Sequence, residues 1–213
     1  MSDKRDVLIS KQLSGILRHK ATALNIAIDS KGYVLVDDLL KHGRLRSFKT
    51  TFEDIERIVK ENAKQRFTME KRDGDGLYYI CANQGHSITT VGDQELEFLT
   101  PETFPSKEVF HKTTFNTLDA IFASGGLSKM KRNHIHFKEA GNNSVAGVKE
   151  YSNTVIYVDV QKAMSDGIEF YRSKNDVILS KGVGETGILP TEYFTRIIDL
   201  KRNQEIPFRN RIK

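Results

Sequence analysis

The sequence predicts an α+β protein in two lobes, and three observations lead there. Apolar residues recur at helical spacing through the first ninety residues, strand-like runs dominate beyond about residue 108, and a polar stretch punctuated by Gly and Pro over 83–107 lies between them. These place one lobe over residues 1–95 and a second over 96–213. A chain of 213 residues is long enough for two cores, and 38% hydrophobic with 29% charged residues is a globular composition.

In the first lobe, Ile9, Leu13, Ile16 and Leu17 fall on one face of a helix over roughly residues 6–19. DSKG at 29–32 reads as a turn, YVLV as a short strand, and VDDLLKH as two helical turns before Gly43. Thr51 and Asp54 have the spacing of a capping box, and Phe52, Ile55, Ile58 and Val59 form the apolar face of the helix it starts. RFTMEKR and LYYICA flank DGDG, a hairpin-turn signal. Three helices and a hairpin are the inventory of a winged-helix module. In the second lobe VFHKT, NHIHF, NTVIYVDV, GIEFYRS, DVILS and YFTRIIDL predict a mixed or antiparallel sheet. One helix, over about 115–124, is expected to end at Ser124-Gly125-Gly126.

Composition removes several function classes. No run approaches the ~18 apolar residues of a membrane span, and MSDKRDV lacks the apolar core of a secretory signal, so the cytosol or nucleus is the expected location. Cys81 is the sole cysteine and reads as a packed strand residue; without a C-x-x-C or His/Cys cluster, no structural zinc is expected. Neither G-x-G-x-x-G nor G-x-x-x-x-G-K-S occurs. The net charge of +5 comes largely from the tail: residues 201–213 hold five basic residues and one acid, whereas residues 101–200 hold 12 of each. Lys41, His42, Arg44, Arg46 and Lys49 form a basic run without an acid, either an RNA-backbone contact or a solvated loop.

The chemistry-bearing residues begin with Arg18 and His19 in LSGILRHKA and Arg66 in AKQRF. Three cations in apolar-patterned segments are costly to bury, and converging they would hold a doubly charged phosphate through guanidinium forks. Taken alone, the same residues equally suit a helix end and a surface ion pair.

The company they keep decides between these. LSGILRHKA, GYVLVDDLL, AKQRF, ANQGHS, FHKT, SGGLSKMKRNHIHF, GVKEYSN and GIEFYRSKNDVIL occur in an order and spacing that resemble the RNA 2′-phosphotransferases, over roughly residues 8–198. The resemblance implies a winged-helix RNA lobe and an ADP-ribosyltransferase-like NAD lobe. It also implies an enzyme that transfers the 2′-phosphate left at a tRNA splice junction to NAD. The phosphate displaces nicotinamide, giving 2′-phospho-ADP-ribosylated RNA. The ribose 2″-hydroxyl then attacks phosphorus, yielding 2′-hydroxyl RNA and ADP-ribose 1″-2″ cyclic phosphate.

By the same resemblance Arg18, His19 and Arg66 grip the phosphate, and a fourth cation at Lys149 completes the set. His19 either passes a proton to the departing 2′-oxygen or only hydrogen-bonds to it. His111, Thr113, Arg132, His134 and His136 are expected around NAD, with Ser173 and Asn175 as further polar contacts. Gln84, His86 and Ser87 are expected to fix the join between lobes. No metal is required, and a monomer is expected. Three positions depart from the family pattern: Lys112 where Gly is usual, Ala63 where Asp is common, and Lys149 where the family has Arg. Ala63 is expected to loosen Arg66, and Lys149 to slow the second step, because an ammonium lacks the planar fork. Two alternatives stand beside this: an RNA-phosphate ADP-ribosyltransferase that stops after the first step, and a non-catalytic RNA-binding module.

Overall fold

The computed structural model describes residues 4–104, 108–141 and 152–208. They pack as two compact units, Met1–Glu95 and Leu96–Lys213, all of whose described strand pairs are antiparallel. Lys149, with Gly147 and Val148, lies outside the described residues.

The first unit contains α1 (Lys4–Gly15), β1 (Tyr33–Leu35), α2 (Val36–Lys41), α3 (Gly43–Ser47), α4 (Phe52–Glu61), β2 (Phe67–Lys71) and β3 (Tyr78–Ala82). The strands form a sheet in the order β1-β3-β2, with Tyr33 opposite Cys81 and Met69 opposite Ile80. Ile9 and Leu13 of α1, Leu39, Leu45, Ile55 and Ile80 have no exposed surface and form one core. Each such side chain contributes on the order of 1.5–3 kcal/mol by leaving water. Thr51 accepts from the Asp54 amide while Asp54 accepts from the Thr51 amide, the reciprocal cap that the spacing predicts.

Asp54 does more than cap. It lies between Arg5 (2.6 and 2.8 Å) and Arg57 (2.8 Å), and Arg57 also reaches Asp6, so the start of α1 is tied to α4. The Arg5 hydrogen bonds, then the Thr51 amide and Arg57, hold the Asp54 carboxyl far below the usual carboxylate range. A depressed acid stabilises the fold above its unfolded value of about 4 and loses that contribution as the pH falls toward the folded value. Acid titration of the wild-type chain should therefore show a stability loss below about pH 4 that Asp54→Asn flattens, read by circular dichroism.

The first helix differs from its expected form. The α-helical part stops at Gly15, and Ile16–Lys20 continues as a π-turn, with the Ala21 amide reaching the Ile16 carbonyl at 2.9 Å. One residue is thereby inserted in the face, which changes the direction of Arg18 and His19 relative to a regular α-helix.

The second unit contains β4 (Glu97–Leu99), β5 (Val109–Thr113), α5 (Leu118–Ala123), β6 (Gly126–Ser128), β7 (Ile135–Glu139), β8 (Thr154–Val158), α6 (Val160–Ser165), β9 (Phe170–Arg172), β10 (Ile178–Ser180), β11 (Ile188–Pro190), β12 (Phe194–Asp199) and β13 (Gln204–Glu205). Eight of these form one sheet in the order β13-β12-β8-β5-β7-β10-β9-β4, while β6 pairs with β11. β4 arises inside the stretch expected to be linker, because Phe98 stacks edge-on against Tyr171 and Leu99 joins the core. The predicted helix over 115–124 is shorter, with a 3-10 turn at Phe115–Thr117 leading into α5. Gly126, at φ 158°, lies so close to β11 that a Cβ would meet the Leu189 carbonyl oxygen at 2.0 Å. Part of the basic tail belongs to this unit: β13 pairs with β12, and Phe208 is buried with its ring stacked 6.2 Å from Phe122.

Candidate functional site

The first unit holds a cleft of about 830 Å³ between α1 and the turn that follows α4. Arg18 and Arg66, 48 positions apart in sequence, both line it. His19 stands next to Arg18, exposed, with Nδ1 2.9 Å from the Ser87 hydroxyl.

Each cation is held from behind by a short polar segment. Arg18 rests on the loop Asn83–Ser87: its carbonyl accepts from the Ser87 amide at 2.8 Å, and its side chain crosses Gly85. Gly85 has φ +90°, and a Cβ there would lie 3.4 Å from Arg18 Nε and 3.6 Å from Cζ. Any other L-residue would be strained and would press on the guanidinium. The phrase N-Q-G-H-S thus acts as the bed of Arg18 and the partner of His19. Ser87→Ala is expected to lower turnover about five- to tenfold with little change in KM, since one orienting hydrogen bond worth about 1 kcal/mol is lost. Single-turnover rates against steady-state KM separate the two effects.

Arg66 is set by Asn62. The Asn62 side-chain oxygen accepts from the Lys64 amide and from Arg66 Nη1, both at 3.1 Å. Gln65 adopts φ +40°, closing the turn, and Asn83 bonds the Gln65 carbonyl through its side chain and the Arg66 carbonyl through its amide. Burial pulls the Arg66 guanidinium below its ordinary value, yet an arginine remains charged. Ala63 is exposed and has no part in these bonds; Asn62 supplies the acceptor for Arg66. Asn62 and Asn83 escaped the sequence reading, although an asparagine just past a helix end is an Asx-turn signal.

In the second unit β5 and β7 are neighbours, and His111 Nδ1 lies 2.8 Å from the His136 carbonyl oxygen. Its ring also meets Phe137 edge-on at 6.1 Å. Thr113 is two residues further along β5, on the face of His111, and its hydroxyl lies 2.6 Å from that of Thr117. Arg132 is exposed and places Nη1 3.4 Å from His136 Nδ1. His134 and His136 are 8% and 9% exposed and Ile135 is 2% exposed, so neither surface of this part of the sheet faces open water. His134 stacks edge-on against Tyr171 at 5.9 Å.

Ser173 and Asn175 sit in the turn between β9 and β10, 3% and 2% exposed. The Ser173 hydroxyl donates to Asn175 Oδ1 at 2.8 Å, and the Val177 amide donates to that hydroxyl at 3.1 Å, so at least part of their polarity serves the hairpin itself. The fold therefore draws His111, Arg132 and His136 together, with Thr113 on the His111 face of β5, while Ser173 and Asn175 lie in the β9–β10 turn.

Residues 4–182 match the model of a protein family described as RNA 2′-phosphotransferase, Tpt1 / KptA family. The chain is 40% identical over 204 residues to a Danio rerio protein named tRNA 2′-phosphotransferase 1, covering 93% of this chain and 88% of that one. It is 36% identical over 220 residues to the Saccharomyces cerevisiae tRNA 2′-phosphotransferase, covering 99% and 92%. A Bos taurus tRNA 2′-phosphotransferase 1 is 38% identical over 201 residues, covering 92% and 77%.

Proposed function

The chain belongs to the RNA 2′-phosphotransferase family, and from that premise we propose that it transfers the splice-junction 2′-phosphate of tRNA to NAD. The observation that carries the assignment of residues is the convergence of Arg18 and Arg66 on one cleft, with His19 fixed beside them by Ser87. A phosphomonoester is largely a dianion at neutral pH, and two guanidinium groups with an imidazole match its charge and its oxygens. Held by preformed loops, these groups need little reorganisation as charge builds on the phosphorus oxygens. By the family resemblance the reading adds Lys149, which lies outside the described residues, as a fourth cation.

We read the first unit as a winged-helix RNA lobe, supported by its helices and three-stranded antiparallel sheet. The second unit is read as an ADP-ribosyltransferase-like lobe, supported by its long antiparallel sheet and the polar residues on β5 and β7. Those residues fit a dinucleotide by their chemistry: a guanidinium at Arg132 for pyrophosphate, and an imidazole at His111 with a hydroxyl at Thr113 for ribose. NAD supplies an electrophilic ribose carbon with a departing nicotinamide, and a neighbouring hydroxyl. His111, Thr113, Arg132, His134 and His136 bind and orient it, while Arg18, His19 and Arg66 aim the phosphate; with the positive charge supplied by these side chains, the reading requires no metal.

The test is incubation with NAD and a short RNA carrying one internal 2′-phosphate, resolving RNA and nucleotide products over time. Conversion to 2′-hydroxyl RNA with release of nicotinamide and cyclic ADP-ribose phosphate is expected; no nicotinamide release, with no NAD-dependent thermal shift, overturns the reading. Because lysine stands at 149, ADP-ribosylated RNA should accumulate, and Lys149→Arg should speed its decay about tenfold, roughly 1.4 kcal/mol for a bidentate over a point charge. An unchanged rate removes that role from Lys149. Permanent accumulation would favour the single-step transferase.

A further inference from the structure

The cleft is larger than one phosphate requires, and its remaining walls carry chemistry that the phosphate does not use. Lys11 and Ser14 line it along with Arg18, and at positions i and i+3 Lys11 and Ser14 follow one face of α1, which leads into the π-turn that carries Arg18. Five cations line the cleft, Lys11, Arg18, Arg57, Lys64 and Arg66, against Asp6 and Glu61. Arg57 is bonded to Asp6 and Asp54, and the lining as a whole is basic on balance.

Two further facts point to a ligand along α1. Lys11 is exposed and makes no hydrogen bond or ion pair among the described residues. Ser10 and Ser14 are half-buried helix residues whose hydroxyls also make none, although a helical serine ordinarily bonds back to the preceding turn. An ammonium and two hydroxyls, one to two helical turns before Arg18, form a donor row of the sign that an extended polyanion needs.

We propose that this row holds a backbone phosphodiester of the RNA strand beyond the junction dinucleotide that carries the 2′-phosphate, with Lys11 as the ion partner and Ser10 and Ser14 as hydrogen-bond donors. The proposal rests on the assignment of Arg18 and Arg66 to the 2′-phosphate. It makes α1 the element that distinguishes a longer RNA strand from a 2′-phosphorylated dinucleotide.

The experiment compares a dinucleotide and a hexanucleotide carrying the same 2′-phosphate, using the full chain, saturating NAD, and wild-type, Lys11→Ala and Lys11→Glu proteins. The wild-type KM for the hexamer should be at least tenfold below that for the dinucleotide, and Lys11→Glu should collapse that gap to under threefold. For Lys11→Ala, the slope of log kcat/KM against log salt should fall by about 0.7, the loss of one single-strand phosphate contact. Lys11 is exposed, so both variants should keep the wild-type circular dichroism melt. A hexamer advantage and salt slope that survive Lys11→Glu overturn the subsite. Equal wild-type KM values for the two RNAs, with turnover of both, overturn it while leaving the enzyme's function standing. Fluorescence anisotropy with a labelled hexamer reads the subsite independently: weaker binding by Lys11→Glu supports it and equal binding overturns it. Failure of the wild-type chain to turn over either RNA would instead count against the functional reading.

Discussion

Arg66→Ala and Arg18→Ala should each lower the single-turnover rate on 2′-phosphorylated RNA by 10²–10³, about 2.7–4 kcal/mol, the cost of losing one preorganised donor to developing charge. Both guanidiniums line one cleft, and each is seated by its own loop, Arg66 on Asn62 and Arg18 on Gly85. Lysine at either position should recover only part of the rate, because an ammonium keeps the charge and loses the fork. The double variant should lose much less than the product of the two single losses if, as proposed, both groups act on one phosphate. Loss of less than tenfold in either single variant would remove that arginine from the phosphate site. An NAD-dependent thermal shift retained by the variants would show that the second unit is intact.

Removing the Asp54 carboxylate has the largest expected effect on the fold. Asp54 is nearly buried, bonded to two guanidiniums and to the amide of Thr51, which caps its helix. Asp54→Ala leaves Arg5 and Arg57 facing each other without it and takes away half of the capping box. The expected destabilisation is about 2 kcal/mol. A fully buried pair would lose about 3–5 kcal/mol, but both arginines are more than a third exposed and screened by water. Hydrogen exchange of peptides from residues 4–95 in the full chain should accelerate about 30-fold where exchange follows opening of this unit, at 1.4 kcal/mol per factor of ten. Peptides of the second unit serve as the internal reference. Acceleration of less than threefold would show that Arg5, Asp54 and Arg57 are a surface ornament of the fold. Asp54→Asn keeps the amide cap and should recover part of the loss.

Much of the architecture was legible because it rests on short-range patterns. The capping box at Thr51 and Asp54 is a four-residue signal, and it forms as its spacing predicts. DGDG turns the β2–β3 hairpin, and the six strand-like runs of the second lobe all become strands, because alternation of apolar residues is a property of the strand itself. The strands β4, β6, β11 and β13 were missed. Their two or three residues carry too little pattern: β6 and β11 form by pairing with each other, β4 by pairing with β9 and β13 with β12.

The site divides along the same physical line. Sequence alone determined that Arg18, His19 and Arg66 are cations in segments patterned for burial, and their order with N-Q-G-H-S and R-N-H-I-H marked the family. It also exposed Lys149, Ala63 and Lys112 as departures, since those are matters of identity at a position. Only tertiary structure decided that Arg66 is held by Asn62, that Gly85 and Ser87 support Arg18 and His19, and that Lys11 shares their cleft. Those relations depend on a π-turn, a positive-φ glutamine and contacts between residues up to 68 positions apart. Residue type and local spacing encode what a side chain can do, whereas the direction in which it does so is set by backbone geometry and long-range packing that a linear pattern does not carry.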